Sequence, residues 1–145
     1  MFQHISLRIS TVLLLLVTVF APGCAHLSGG GGGPDASGYY EGSWYGPNAD
    51  NPLGALTCVI ESSGAGTWDA VFSATFGGSG EYDVELAGVT EGETIVFKGS
   101  VDLGETSGGV FDWNGSISGE VFDGSYTSQF INGTFKMVKA EKPVN

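Results

Sequence analysis

The sequence predicts an all-β domain: an eight-stranded antiparallel up-and-down meander barrel, with a two-sheet β-sandwich as the alternative. Three observations carry this expectation. Short runs of alternating apolar and polar residues recur eight times between Tyr39 and Lys139, the pattern of strands with one buried face. Eighteen of the 25 glycines fall between Tyr39 and Val138, and each would cost a helix interior about 1 kcal/mol relative to Ala, which disfavours a helical bundle. No proline occurs between Pro52 and Pro143, as suits a sheet, where each would remove a ladder hydrogen bond. The chain has 145 residues, 41% hydrophobic and 12% aromatic, which is enough to fold one domain despite a formal charge of −11.

Taken in order, residues 1–23 read as an export signal. Arg8 precedes an apolar run from Val12 to Phe20 broken only by Thr18, too short to cross about 30 Å of hydrocarbon as a mature helix. The following Ala21-Pro22-Gly23-Cys24 resembles the lipobox of bacterial lipoproteins. That resemblance implies a lipid on Cys24 as a membrane anchor. Ala25 in place of Asp after the cysteine looks like an outer-membrane address. The alternative is an ordinary signal peptide cut after Ala25, leaving a secreted or periplasmic soluble protein. Residues 24–38 read as a Gly-rich tether containing Gly29 to Gly33 in succession, with a reach of roughly 20 Å. The barrel domain spans 39–140, and 141–145 form a C-terminal tail.

Within the domain the predicted strands are Tyr39–Gly46, Leu53–Ser62, Thr67–Phe76, Glu81–Gly88, Thr94–Leu103, Gly109–Ser118, Val121–Ser128 and Phe130–Lys139. The third is the clearest, with Trp68, Ala70, Phe72, Ala74 and Phe76 in one phase. Asn114-Gly115-Ser116, Asp123-Gly124-Ser125 and Asn132-Gly133-Thr134 repeat at a spacing of nine. Asn-Gly and Asp-Gly are hairpin-turn signals. Here the alternation runs through them unbroken, which places Gly115, Gly124 and Gly133 inside strands, where inward glycines allow the bending that closes a small barrel. Short connections between successive strands suit a meander. Gly42-Ser43-Trp44 is similar to the G-x-W element of the calycin group (lipocalins, avidins and fatty-acid-binding proteins), which implies a barrel with the Trp closing one end.

The chemistry that is missing narrows function. His4 lies in the signal and His26 in the tether, so the barrel has no imidazole for a Ser-His-Asp or Cys-His arrangement or a zinc site. The only arginine, Arg8, is removed with the signal, leaving four lysines and a formal charge of −12. Nucleic acid would be repelled. Asp69, Glu81, Asp83, Glu85, Asp102 and Asp112 alternate against apolar neighbours and point outward, which argues against carboxylate-based glycoside hydrolysis. Asn48-Ala49-Asp50-Asn51 reads as a turn rather than a calcium loop, and Cys58 as a small buried hydrophobe. No catalytic residue, metal or cofactor is expected.

The positive feature is an aromatic interior, which is either a filled core or the wall of a pocket, since eight strands enclose about one small ligand. The expected function is a non-catalytic, lipid-anchored envelope barrel that binds a small hydrophobic or amphipathic ligand at one mouth. Trp44, Trp68, Tyr82, Trp113 and Tyr126 would line that mouth, since buried indole and phenol groups can orient a ligand. The alternative is a structural module with a filled core that binds an envelope protein.

Overall fold

A computed structural model describes residues 33–47, 50–75 and 81–144. The strands are β1 (Gly38–Tyr45), β2 (Pro52–Gly64), β3 (Thr67–Thr75), β4 (Glu81–Glu91), β5 (Thr94–Asp102), β6 (Val110–Ser118), β7 (Val121–Thr127) and β8 (Asn132–Ala140). Each pairs antiparallel with its neighbour in sequence, and β8 returns to β1, with Phe135 opposite Trp44, to close the barrel. Closure satisfies the edge groups that a sandwich would leave unpaired, so the barrel expectation holds and the sandwich alternative does not. All eight strands belong to one unit, Gly31–Asn145. The residues expected to form the signal peptide, Cys24 and most of the expected tether lie outside the described residues, as do Asn48, Ala49, Phe76 and the final residue.

Period-two alternation decides which side chains fill the bore. On β6, Phe111, Trp113, Gly115 and Ile117 face inward while Asp112 and Asn114 face solvent. Phe122 on β7 is the centre of the packing, with ring centroids 5.0 Å from Phe97, 5.3 Å from Phe72 and Phe135, and 6.1 Å from Tyr40. Burying such rings stabilises the fold by about 1.5–3 kcal/mol each. Geometry between rings adds about 0.5–1.5 kcal/mol per pair.

The three Asx-Gly repeats lie inside strands, as the alternation requires. Gly115 pairs directly with Gly124, and Gly133 pairs with Tyr126. Their role is steric. A Cβ on Gly115 would lie 2.6 Å from the Phe135 ring and 2.8 Å from that of Phe122, and one on Gly124 would lie 2.7 Å from Phe135 and closer still to the β6 backbone, at the Asn114 carbonyl oxygen. The rings occupy the space that side chains on these strands would otherwise take.

The two ends of the barrel differ. At one end β2–β3, β4–β5 and β6–β7 are joined by two residues each, with Gly66, Gly92 and Gly119 at positive φ as tight hairpins demand. The chain also enters the barrel here. Ala36, assigned to the tether by sequence, is fully buried, and its carbonyl accepts a hydrogen bond from the Tyr40 hydroxyl at 3.0 Å. The packed region therefore begins ahead of residue 39, because the buried phenol needs an acceptor. The opposite end carries the longer connections, 46–51, 76–80, 103–109 and 128–131.

One seam is incomplete. β4 pairs with β5 only from Ala87–Lys98 to Glu91–Thr94, so residues 81–86 pair only with β3, and 99–102 only with β6. This parting lies at the end with the longer connections. There residues 103–109 form a short 3-10 turn, Glu105–Ser107, between Gly104 and Gly108. The strand pattern does not anticipate this turn, since three residues are too few to show a helical period.

The ring-over-glycine packing is directly testable. Gly115→Ala and Gly124→Ala should each destabilise the barrel by about 1–3 kcal/mol through overpacking, read by chemical denaturation. Unchanged stability in both would contradict this packing.

Candidate functional site

Near the end with the longer connections the aromatic filling stops short, leaving a cavity of about 300 Å³. Its depth follows from residue size. Rings project inward from β1, β4, β6 and β7 at Trp44, Tyr82, Phe111, Trp113 and Tyr126, whereas β3 offers only Ala74. Val84, Leu103 and Ile131 complete the apolar wall, and Thr106, Ser107 and Gly108 border it on one side.

Four of the five residues expected to line a mouth are therefore brought together: Trp44, Tyr82, Trp113 and Tyr126. Tyr126 links the others, with its ring centroid 5.3 Å from Trp113 and 5.8 Å from Trp44. Trp68 does not join them. It shares their inward phase but stands at the start of β3, beside the 65–66 hairpin at the opposite end, where its indole N–H donates to Thr90 Oγ1 at 3.0 Å. Alternation gives the face of a strand, not the height along the barrel. Trp44 does not close an end as the G-x-W resemblance implies, because it forms part of the open cavity's wall.

Phe111, Leu103, Ile131 and the 106–108 turn were missing from the expected site. Phe111 and Leu103 carry a usable signal, since both continue the inward phase of their strands. The turn could be found only through the glycines around it. Gly108 has φ 104° and passes close to the Phe111 ring, which a Cβ there would meet at 2.9 Å.

The polar atoms of the wall are mostly committed. The Trp44 indole N–H donates to the Thr75 carbonyl at 3.2 Å, and the Tyr126 hydroxyl donates to the Tyr45 carbonyl at 2.8 Å. The Tyr82 and Ser107 hydroxyls bond each other at 3.0 Å, spanning the parting between β4 and β5. Among the described residues, the Trp113 indole N–H is the one buried side-chain polar group without a hydrogen-bond partner. Trp113 packs against Phe72 and Phe135, with ring centroids at 5.8 and 5.6 Å, at the floor of the cavity.

Among the described residues no charged side chain lines the cavity. Asp69, Asp83, Glu85, Asp102 and Asp112 are solvent-exposed, as alternation requires. The side chain of Glu81 lies outside the described residues. No group of three or more His, Cys, Asp or Glu residues capable of holding a metal occurs among the described residues. Cys58 is buried on β2, where loss of hydration pushes its thiol well above its usual range.

No family model matches the chain, and no curated protein matches it in sequence. Among solved structures it is similar to a mutant of the fluorescent protein UnaG, at 11% identity, with 74% of this chain and 97% of that one covered and a TM-score of 0.44. It is also similar to secretory abundant heat soluble protein 4 from Ramazzottius varieornatus, at 13% identity, with 72% of this chain and 94% of that one covered and a TM-score of 0.39.

The buried phenols and thiol give the barrel an alkaline limit. Burial pushes Tyr126 and Tyr40 up to about 12 from 10.0, and it raises Cys58 from 9.0. The folded state thus holds these protons more tightly than the unfolded chain does. Their stabilising contribution is complete below pH 9 and is lost as pH rises from there through 12. Denaturation midpoints should fall across that window. A flat profile up to pH 12 would contradict the burial of these groups.

Proposed function

We propose that this protein is a non-catalytic β-barrel that takes up a small hydrophobic or amphipathic molecule at its open end. One observation carries the reading: a cavity of about 300 Å³ with an almost wholly apolar, aromatic wall, in a barrel otherwise filled to the other end. That volume lies at the small end of the range for small-molecule sites, which are typically apolar with a few polar groups for orientation. A non-catalytic role fits a wall that, among the described residues, has no titratable acid, base or nucleophile beyond two tyrosines and two hydroxyls.

Trp44 and Trp113 border the cavity and Trp68 is remote from it, so intrinsic fluorescence tests the reading. Titration with a panel of uncharged apolar compounds should shift or quench emission. Trp68→Phe should keep most of the response, and the double variant Trp44→Phe, Trp113→Phe should lose it. A panel that leaves the emission of the wild-type chain unchanged would refute ligand binding.

The same reading places the barrel at the bacterial outer membrane, held by a lipid on Cys24. It rests on the lipobox resemblance and on the glycine run that would separate the anchor from the barrel. Fed with radioactive fatty acid, producing cells should label the wild-type protein and not Cys24→Ala. Label persisting in that variant would rule out this anchor.

A second reading, a docking module for an envelope protein, has its own observation. Phe130 is 72% exposed and Val110 52% exposed, beside the connections of the open end, and solvent-exposed apolar side chains of that size suit a partner surface. A stoichiometric partner crosslinked through Phe130 would favour it.

A further inference from the structure

We propose that the occupant of the cavity is a compact molecule without negative charge that carries a hydrogen-bond acceptor, and that the Trp113 indole N–H is the donor that meets this acceptor. The inference rests on the ligand-binding reading above and specifies its chemistry.

Charge sets the first constraint. An anion taken into an apolar site loses its hydration and must find a cation or several donors there. Among the described residues the cavity wall offers no Lys, Arg or His. Lys98, Lys136 and Lys142 are exposed, and Lys139 lies at the other end, 6.0 Å from the centre of the Tyr40 ring. The excess of acidic over basic side chains adds long-range repulsion. A carboxylate or phosphate ligand would thus enter unpaired.

Donor accounting sets the second. The indole of Trp44 and the phenol of Tyr126 donate to backbone carbonyls, and of the Tyr82 and Ser107 hydroxyls one donates to the other, so the O–H groups left over, that one and Thr106, belong to residues that are not buried. Trp68 is likewise paired, at the far end. Among the described residues only the Trp113 N–H is enclosed and unpaired, and a buried donor left so costs stability that a phenylalanine at this position would avoid. As it stands that N–H is closed to water, so an acceptor on a molecule seated against the Trp113 ring becomes its partner when the indole turns toward the cavity. Size sets the third constraint, since about 300 Å³ favours a compact skeleton over a long acyl chain.

Three probes with one skeleton separate these terms: 2-acetylnaphthalene, 2-ethylnaphthalene and 2-naphthoate, titrated into the purified full chain by calorimetry and followed by NMR of the three indole N–H groups. The acetyl compound should bind about tenfold more tightly than the ethyl compound, a difference of about 1.4 kcal/mol. It should also move the Trp113 indole proton downfield while Trp44 and Trp68 respond less. The naphthoate should bind at least about tenfold more weakly than either. Trp113→Phe should still bind the ethyl compound and bring the acetyl and ethyl affinities within about twofold.

Equal or tighter binding of the naphthoate overturns the inference. So does an acetyl preference that survives Trp113→Phe, or a Trp113 proton that does not move downfield. Should that variant fail to fold, the wild-type ranking and the indole shift still decide. Binding in the wrong order overturns this inference alone, whereas no binding by any of the three overturns the ligand-binding reading along with it.

Discussion

The bore of an eight-stranded barrel is fixed by its strand count, so its contents depend on which inward positions carry a side chain at all. In this protein large rings are accommodated because facing positions have none. Phe135 and Phe122 lie over Gly115 and Gly124, at distances no Cβ could share. Phe97 covers Gly88 in the same way on the β4–β5 pair. Aromatic area supplies the stabilisation and glycine supplies the room, and neither works without the other. The high glycine content is thus part of the core.

The same exchange accounts for the cavity. Toward the open end Trp44 covers Gly54 and Tyr126 covers Gly133, and both rings line the cavity together with Tyr82 and Phe111. Polar atoms hold Trp44, Tyr126 and Tyr82 in place: Trp44 is tied to the backbone of β3, and Tyr126 to the backbone of β1. Tyr82 is tied to the 103–109 connection. Phenylalanine in place of Trp44, Tyr82 or Tyr126 would lack that tie. Hydrogen bonds from ring to backbone thus keep an apolar space open, and the parting of β4 from β5 lies beside it.

Much of the barrel was legible in the sequence, because period-two alternation reports strand existence and side-chain face directly. It put Gly115, Gly124 and Gly133 inside strands against a strong local turn signal, and the paired register agrees. The site was legible only in part. Alternation does not report height, so Trp68 was grouped with Trp44, Tyr82, Trp113 and Tyr126 although it belongs to the opposite end. The lengths of the connections contain the missing information: two-residue hairpins mark the packed end, and longer connections mark the mouth. The burial of Ala36 was illegible because its cause is tertiary, the need of the Tyr40 hydroxyl for an acceptor.

The central claim is that one half of the barrel is filled and the other holds an apolar space. Xenon enters dry apolar cavities and is readily seen in diffraction. In a crystal of the ligand-free protein under xenon pressure, the account predicts density among Trp44, Trp113 and Tyr126, and none around Phe97, Phe122 and Tyr40. Xenon in the lower half, or its absence from the space beside Trp113, would contradict it.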